Sequence, residues 1–300
     1  MKRKSSVTRV GPLNAKENKL RKRGGEMTGN TSHKQVLIAA ASLAALALAS
    51  TDACAQQSDE ELAKATQNPI AALISVPLQY NYDQKIGPQE TGHKNYVNAQ
   101  PVMPFSISED WNLISRTILP VIDQQDVVAG AGSQSGIGDI TQSLFFSPKK
   151  PTADGLIWGV GPVFLLPTAS DNPLGGEKWG LGPTAVFLKQ EHGWTYGALV
   201  NHIWSVAGTS NRANVNSTYM QPFLTYTTKT HTSFSVNSES TYNWEAKNWT
   251  VPINFLVTQL LRVGEQRLTL QGGLRYWTDS PDGAAHGWGA RVQVTFLFPK

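Results

Sequence analysis

The sequence has little cysteine and little charge. One cysteine, Cys54, occurs among 300 residues, and Asp, Glu, Lys and Arg together make up 16% of the chain. Because Cys54 lies in a leader that we expect to be removed, the mature chain offers no disulfide, no thiol nucleophile and no thiolate metal site. Beyond residue 55 no stretch approaches the roughly 18 uncharged apolar residues of a membrane helix. The sequence therefore predicts no such helix in the mature chain.

The net charge of +4 comes from the leader alone. Residues 1–55 carry ten Lys/Arg and three Asp/Glu, whereas residues 56–300 carry sixteen against nineteen, a net charge of −3. The basic pI therefore gives no indication that the mature protein binds nucleic acid.

Residues 27–55 have the organisation of a secretory signal peptide. The apolar core, about 36–49, is roughly 14 residues long, too short to cross a bilayer. Ala53-Cys54-Ala55 then supplies small residues at both positions that a signal peptidase recognises. Export of a chain without disulfides is typical of a bacterial envelope protein.

We expect cleavage after Ala55, which makes Gln56 the mature N-terminus. Lipidation of Cys54 is the alternative, and residues 51–53 are a poor approach to a lipidated cysteine. Residues 1–26 form a basic extension unlike a normal signal-peptide start. Either translation begins at Met27, or this extension does not belong to the protein.

The mature chain consists of alternating runs of polar and apolar residues. In the final stretch, "GARVQVTFLFPK", four bulky apolar residues share one face and three polar residues the other. This period of 2 predicts a strand with one polar and one apolar face. About twelve such runs follow one another, starting near Leu73, Lys94, Trp111, Ile137, Gly155, Trp179, Trp194, Ser217, Thr232, Asn248, Arg267 and His286.

The connections alternate between short and long. "SISED", "KQEHG", "KTH" and "VGEQ" are brief, whereas "DQQDVVAGAGSQSG", "SDNPLGGEK" and "AGTSNRANVN" are longer and rich in Gly, Asn, Ser and Asp. Outer-membrane barrels have tight periplasmic turns and longer outer loops. We therefore predict an all-β fold, a transmembrane antiparallel β-barrel of about 12 strands over residues 73–300, with 56–72 as a periplasmic N-terminal segment.

Aromatic placement agrees with a membrane barrel. Six tryptophans lie at or near the ends of runs, as in the aromatic girdles of such barrels: Trp111, Trp179, Trp194, Trp244, Trp249 and Trp288. The alternative is a soluble sandwich with aromatic residues in its core. Prolines inside the predicted strands count against either sheet, because proline removes a ladder donor: Pro101, Pro104, Pro120, Pro162, Pro183, Pro222 and Pro252.

Strand alternation assigns a face to several residues. The predicted lipid-facing residues of the last strand are Val292, Val294, Phe296 and Phe298. The candidate lumen-lining charges, on the opposite face of their strands, are Arg116, Glu239, Arg275 and Arg291. An equally open interpretation of these four is a set of buried structural ion pairs. We also expect the stretch from Glu60 to Leu73 to lie in or under the lumen and restrict it.

The sequence carries no complete catalytic or metal-binding motif. "GSQSG" has Gln134 where a hydrolase elbow needs serine, and Pro183 defeats the dinucleotide-like "GLGPTA". "GIGD", "GVGP" and "GLGP" instead indicate a repeated device for strand curvature or bulges. His202 and Ser205 on one strand point to opposite faces, and the remaining histidines lack metal-ligand spacing. No enzyme activity, cofactor or metal is expected.

Several stretches resemble one family of Gram-negative envelope proteins, over essentially all of 68–300. The family is named for the meta-pathway of phenol degradation and is often labelled simply a transporter. The stretches include "PFSISEDWNLISRTILPVI", "GIGDITQSLFFSPKKP", "LIWGVGPVFLLPTAS", "KWGLGPTAVFLKQ" and "ESTYNWEAKNWTVPIN". The resemblance implies an outer-membrane channel for passive passage of small hydrophobic or aromatic compounds, and it carries over no site residues.

The expected partners follow from that interpretation. They are outer-membrane lipid, a small hydrophobic solute and, during biogenesis, the barrel-assembly machinery, with no nucleic acid. The alternative function is a structural or adhesive outer-membrane barrel without transport activity. A larger barrel favours passage, since about 12 strands leave room for a small solute whereas eight leave little.

Overall fold

The computed structural model describes residues 58–128 and 130–299. The predicted basic extension and signal peptide, and the first two residues of the N-terminal segment, lie outside them. One short helix, α1 (Asp59–Ala65), precedes the strands, and a 3-10 helix covers Asn172–Leu174. The strands are β1 (Ile74–Ile86), β2 (Gly92–Ala99), β3 (Val102–Ser106), β4 (Trp111–Gln125), β5 (Ser133–Ile137), β6 (Ile140–Pro148), β7 (Ile157–Leu166), β8 (Lys178–Glu191), β9 (Trp194–Gly208), β10 (Asn216–Thr227), β11 (Thr232–Ser238), β12 (Ser240–Asn243), β13 (Asn248–Val263), β14 (Gln266–Asp279) and β15 (Gly287–Phe298).

The sheet closes on itself. The first strand, β1, pairs antiparallel with both β2 and the last strand, β15, with Ile74 opposite Phe298. Three wall positions are each shared by two short strands: β2 with β3, β5 with β6, and β11 with β12. The result is the predicted closed antiparallel barrel of 12 strands. Closure removes the free edges that an open sheet would expose.

The predicted strand starts agree closely with the structure. Trp111, Trp194, Thr232 and Asn248 begin strands in both. The largest difference lies around Asp123 to Gly136, which we expected to be one long loop. There β4 and β5 continue the ladder, because the inward-facing Gln124 donates a hydrogen bond of 3.0 Å to Gln134 and both amides are buried. Polar composition suggested a loop at a place where polar side chains face the barrel interior.

Burial alternates along the barrel wall, as β15 illustrates. Arg291 and Leu297 are 3% and 1% exposed, whereas Val292 between them is 48% exposed. The inner face therefore carries charge and amides, and the outer face carries apolar side chains. In the described residues, 58–128 and 130–299, no helix is both long and apolar enough to cross a membrane.

Exposed tryptophans lie near both ends of the barrel. We call the end where β1 starts and β15 stops the terminal end, and the other the loop end. Trp111 and Trp194 begin strands at the terminal end and are 37% and 43% exposed. The exposed tryptophans near the loop end are Trp179, Trp204, Trp244, Trp249 and Trp288. Two such belts are the pattern of a wall that meets water on both sides of a lipid layer.

Two of the in-strand prolines face one another. Pro162 of β7 is the register partner of Pro183 of β8. The regular β6–β7 and β8–β9 registers skip these same positions: Ser143↔Val163 is followed by Phe146↔Val160, and Leu181↔Trp204 by Thr184↔Asn201. The missing proline donors thus fall where the ladder is already interrupted. Pro252 lies at a register shift of β13, and Pro101 lies between strands.

The glycines that precede Pro162 and Pro183 allow the backbone of the neighbouring strand to approach closely. A Cβ placed on Gly182 would lie 1.6 Å from the carbonyl oxygen of His202, and one on Gly161 would lie 1.9 Å from that of Leu144. The "GVGP" and "GLGP" repeats therefore mark contacts between strand backbones, which only glycine permits.

We expect Gly182→Ala to destabilise the barrel by about 1–3 kcal/mol, because the backbone of β8 or β9 must move to admit the methyl group. Gly272→Ala is the matched control, since a Cβ there meets nothing within 4 Å. The measurement is urea unfolding of both variants in detergent micelles. Equal midpoints for Gly182→Ala and Gly272→Ala would show that the close approach is not required.

Candidate lumen site

The helix α1 has a capped N-terminus, and an ion pair attaches it to the barrel. Ser58 and Glu61 form a capping box, and Asp59 Oδ1 lies 2.8 Å from Arg267 Nε of β14. That hydrogen bond holds the pKa of Asp59 below its ordinary value, so the pair persists until the pH falls through the lowered pKa. A helix of seven residues is not stable alone. Its position therefore depends on contacts with the barrel.

The chain from α1 to β1 fills the terminal half of the lumen. Ile70, 3% exposed, packs with Ile114, Phe145, Val186, Leu188 and Leu199, which belong to β4, β6, β8 and β9. A residue can reach so many strands only from inside the barrel. Leu62, Ala71 and Leu73 pack on the inward-facing Leu297 in a second apolar cluster. We call residues 59–73 the plug segment.

A buried ionic cluster links inward-facing side chains of β1, β14 and β15 with Glu239, which lies between β11 and β12. Arg291 grips Glu239 with both terminal nitrogens, Nη1 to Oε1 at 2.8 Å and Nη2 to Oε2 at 2.7 Å. Arg275 Nη2 reaches the same Oε2 at 2.9 Å, and its Nη1 lies 3.3 Å from both oxygens of Asp83. Both arginines are 3% exposed. Glu239 thus bridges two guanidinium groups, and Asp83 neutralises part of the second.

Neutral side chains complete the hydrogen bonding of this cluster. Asn254 Oδ1 accepts from Arg275 Nε at 2.9 Å, and Asn81 Oδ1 accepts from Arg291 Nε at 2.8 Å. The Tyr96 hydroxyl lies 2.7 Å from Arg275 Nη1. Buried charges are tolerated when they are paired and their remaining donors are satisfied. Every charge in the cluster is paired, and each guanidinium nitrogen of Arg275 and Arg291 has at least one acceptor.

A cavity of about 210 Å³ lies between the plug segment and this cluster. Six glutamines provide much of its polar lining: Gln67, Gln79, Gln100, Gln221, Gln271 and Gln293. Apolar side chains include Pro77, Val102, Phe223, Leu256 and Leu297. A cavity of about 150 Å³ is enough for benzene. The lumen therefore contains an amphipathic chamber large enough for a single aromatic ring.

Three of the four candidate lumen charges line this cavity: Arg116, Glu239 and Arg291. Arg275 lies behind them in the ionic cluster. Arg116 stands apart, since it donates to Gln100 Oε1 at 2.9 Å and, among the described residues, has no carboxylate within 4.0 Å. Glu239 and Arg291 line the cavity and are also paired with each other, and their role in passage remains a prediction.

Sequence reasoning missed the partners that β1 contributes to the cluster. Asn81 and Asp83 are 0% and 4% exposed and lie on the inner face, alternating with Tyr80 and Tyr82. That alternation was available in "LQYNYDQ" and would have placed both residues in the lumen. On the last strand, Val292 lies on the outer surface, and the lipid contact of all four residues predicted there remains a prediction.

The structure separates His202 from Ser205. His202 Nδ1 lies 2.7 Å from Thr218 Oγ1, which also accepts from Trp244 Nε1, whereas Ser205 Oγ accepts from the Val215 backbone. Within 58–128 and 130–299, no three His, Cys, Asp or Glu side chains are grouped to hold a metal ion.

Comparison with known proteins gave matches by structure only. No family model matches the chain, and no curated protein matches its sequence. The fold is similar to that of an outer membrane channel from Pseudomonas putida F1, with a TM-score of 0.59 and 15% identity over 76% of this chain and 96% of that one. Outer membrane phospholipase A from Escherichia coli matches with a TM-score of 0.43 and 11% identity over 75% of this chain and 96% of that one.

The chain is a bacterial outer-membrane β-barrel. The likeness to the Pseudomonas putida structure shows this fold, and the apolar outer wall between two tryptophan belts agrees with it. A third match, Salmonella typhi OmpF in complex with daunomycin, has a TM-score of 0.35 and 9% identity over 75% of this chain and 96% of that one. At such values the likeness adds nothing to the fold assignment.

Proposed function

We propose that the protein is an outer-membrane channel for passive passage of small hydrophobic or aromatic compounds. The observation that carries this is the amphipathic chamber of about 210 Å³ inside a closed 12-strand wall. The sequence resemblance to the phenol meta-pathway family, and the channel description of the Pseudomonas putida structure, support the same proposal. We assign the barrel no cofactor and no catalytic role.

The chamber suits solutes that are apolar and carry one or two polar atoms. Amides of glutamine can donate to or accept from a hydroxyl, while Val102, Phe223 and Leu256 offer apolar surface beside them. A sugar would leave those apolar walls against its many hydroxyls, whereas a phenol-sized solute satisfies both kinds of lining. The proposed selectivity therefore follows from mixed polarity at a small volume.

A specific observation favours the alternative, a structural or adhesive barrel without transport. The plug segment lies in the terminal half of the lumen, and the ionic cluster lies on the inner wall closer to the loop end. A plug segment that stays in place obstructs the terminal half of the lumen. Passage requires that the plug segment move out of the lumen. Its weakest attachments are the polar, partly exposed contacts that α1 makes with the barrel.

The test is solute entry into liposomes that contain the full mature protein. We expect swelling with phenol-sized aromatic alcohols and slower swelling with sugars of similar mass, because the chamber is narrow and partly apolar. Protein-free liposomes correct for direct permeation of the bilayer. Zero protein-dependent flux for aromatic, aliphatic and sugar solutes alike would replace the channel proposal by the structural one.

A further inference from the structure

Among the described residues, one cation in the chamber, Arg116, has no carboxylate within 4.0 Å, and Glu239 acts on it only at longer range. The guanidinium of Arg116 carries five N–H groups, and the structure gives it one hydrogen bond, to Gln100 Oε1 at 2.9 Å. Gln100 is itself 8% exposed, so it holds the guanidinium in place without neutralising it. The remaining N–H groups of Arg116, which lines the cavity, are left for a ligand.

The two neighbouring carboxylates are already paired with other arginines. Glu239 accepts from Arg275 and Arg291, and Asp83 is occupied by Arg275. Lys94 of β2 adds a further positive charge, lying over the Tyr96 ring at 5.3 Å. Within residues 58–128 and 130–299, four cationic side chains therefore share two carboxylates along this part of the lumen. A positive excess in a confined, partly apolar space attracts anions more strongly than the same charge does in water.

Apolar surface lies in the same chamber as this cation. Val102 is the register partner of Arg116 across β3 and β4, and Phe223 and Leu256 also line the cavity. A ligand that satisfied both features would combine a planar anion with a small apolar body. A guanidinium binds a carboxylate through two parallel hydrogen bonds, and about 150 Å³ suffices for a benzene ring.

We propose that the chamber is a binding site for a small aromatic carboxylate, with Arg116 as the anchor for its carboxylate group. This rests on the proposed channel function and narrows its substrate class from aromatic compounds in general to their acids. The Arg116 guanidinium donates to the carboxylate, and the ring lies against Val102 and Phe223. The ionic cluster, with two arginines and two carboxylates, is neutral, and the excess positive charge comes from Arg116 and Lys94.

The direct test is calorimetric titration of the full mature protein in detergent micelles with benzoate, benzyl alcohol and benzylamine. These probes share a ring and differ in charge. We expect benzoate to bind most tightly and benzylamine least. Arg116→Gln should weaken benzoate binding about ten-fold or more, as expected for loss of a charged hydrogen bond, and leave benzyl alcohol nearly unchanged.

Arg262→Gln is the matched control, because it removes one cation from an exposed position at the terminal end of β13. Arg116→Lys keeps the charge and loses the forked geometry, so an intermediate affinity supports carboxylate recognition. Equal loss of benzoate affinity in Arg116→Gln and Arg262→Gln would overturn the proposal, as would equal affinity for all three probes in the native protein.

Conductance in planar bilayers separates this inference from the channel function. If the protein conducts but benzoate neither binds nor reduces chloride current, the aromatic-acid site is wrong and the channel stands. If benzoate binds through Arg116 and no current or flux is seen, the site stands and the channel function is wrong.

Discussion

Deleting residues 58–72 is expected to raise solute flux through the barrel several-fold. The deletion removes Leu62, Ile70 and Ala71, which are all buried and pack on inward-facing side chains of the wall. The strands retain their complete ladder of neighbours because the plug segment belongs to none of them. The barrel should therefore fold, with a lumen that is open from the chamber to the terminal end.

The cost to stability should be moderate. Losing the burial of Ile70 removes about 1.5–3 kcal/mol, and the exposed inner side chains of β6, β8 and β9 then face water. Circular dichroism of the deletion variant should show unchanged strand content. Liposome swelling with aromatic alcohols and with sugars measures the gain, which should be larger for sugars because the apolar restriction is removed.

A substitution provides a finer test of the same idea. Ile70→Asp places a carboxylate among Ile114, Phe145 and Leu199, which is unfavourable without a partner. We expect the plug segment to leave its position and flux to rise towards that of the deletion. Glu60→Gln, on the exposed side of α1, is the control and should behave as the native protein. Unchanged flux in both the deletion and Ile70→Asp, with the barrel folded, would show that the plug segment does not restrict passage.

Replacing Glu239 by alanine should destabilise the barrel by about 3 kcal/mol, the lower end of the range for breaking a buried ion pair. The lower end applies because Glu239 is one-fifth exposed to the chamber. Arg291 loses the one carboxylate that it contacts among the described residues, while Arg275 keeps Asp83 at 3.3 Å. The variant should also favour anions more strongly, since one of two carboxylates in this part of the lumen is gone.

Two measurements check this prediction. Urea unfolding in micelles gives the stability change, and the reversal potential in a salt gradient gives the ion preference. Glu239→Gln retains an acceptor and should recover part of the stability but none of the charge balance. Glu265→Ala, in the exposed turn between β13 and β14, is the control. A native stability for Glu239→Ala would mean that water in the lumen already satisfies both arginines.

Much of the barrel was predictable because strand alternation is a local property. A run such as 292–298 shows its two faces without reference to any partner, and turn residues separate one run from the next. The number of strands, most of their starts and their antiparallel order therefore followed from the sequence. The exceptions lay where inward-facing polar side chains resemble loop composition, as at Gln124 and Gln134, which are buried against each other.

The candidate site was predictable only in part. Alternation placed Arg116, Glu239, Arg275 and Arg291 on the polar faces of their strands, and the structure brings Glu239 into contact with two of the arginines. Among the described residues, Arg116 has no carboxylate within 4.0 Å. Nothing local distinguishes these cases, because a side chain's face says nothing about which strand lies across the lumen.

The sequence by itself determined a chain of about 12 amphipathic strands, and it predicted export with loss of Cys54 in the leader. The number and faces of the strands also predicted closure into a barrel. Only the tertiary structure decided what fills the lumen. Arg275 meets Asp83, 192 residues away, and Ile70 packs among four strands. Such contacts depend on register, on barrel closure and on the path of a segment that belongs to no strand. Those quantities arise from the whole chain at once, whereas alternation is written into each strand separately.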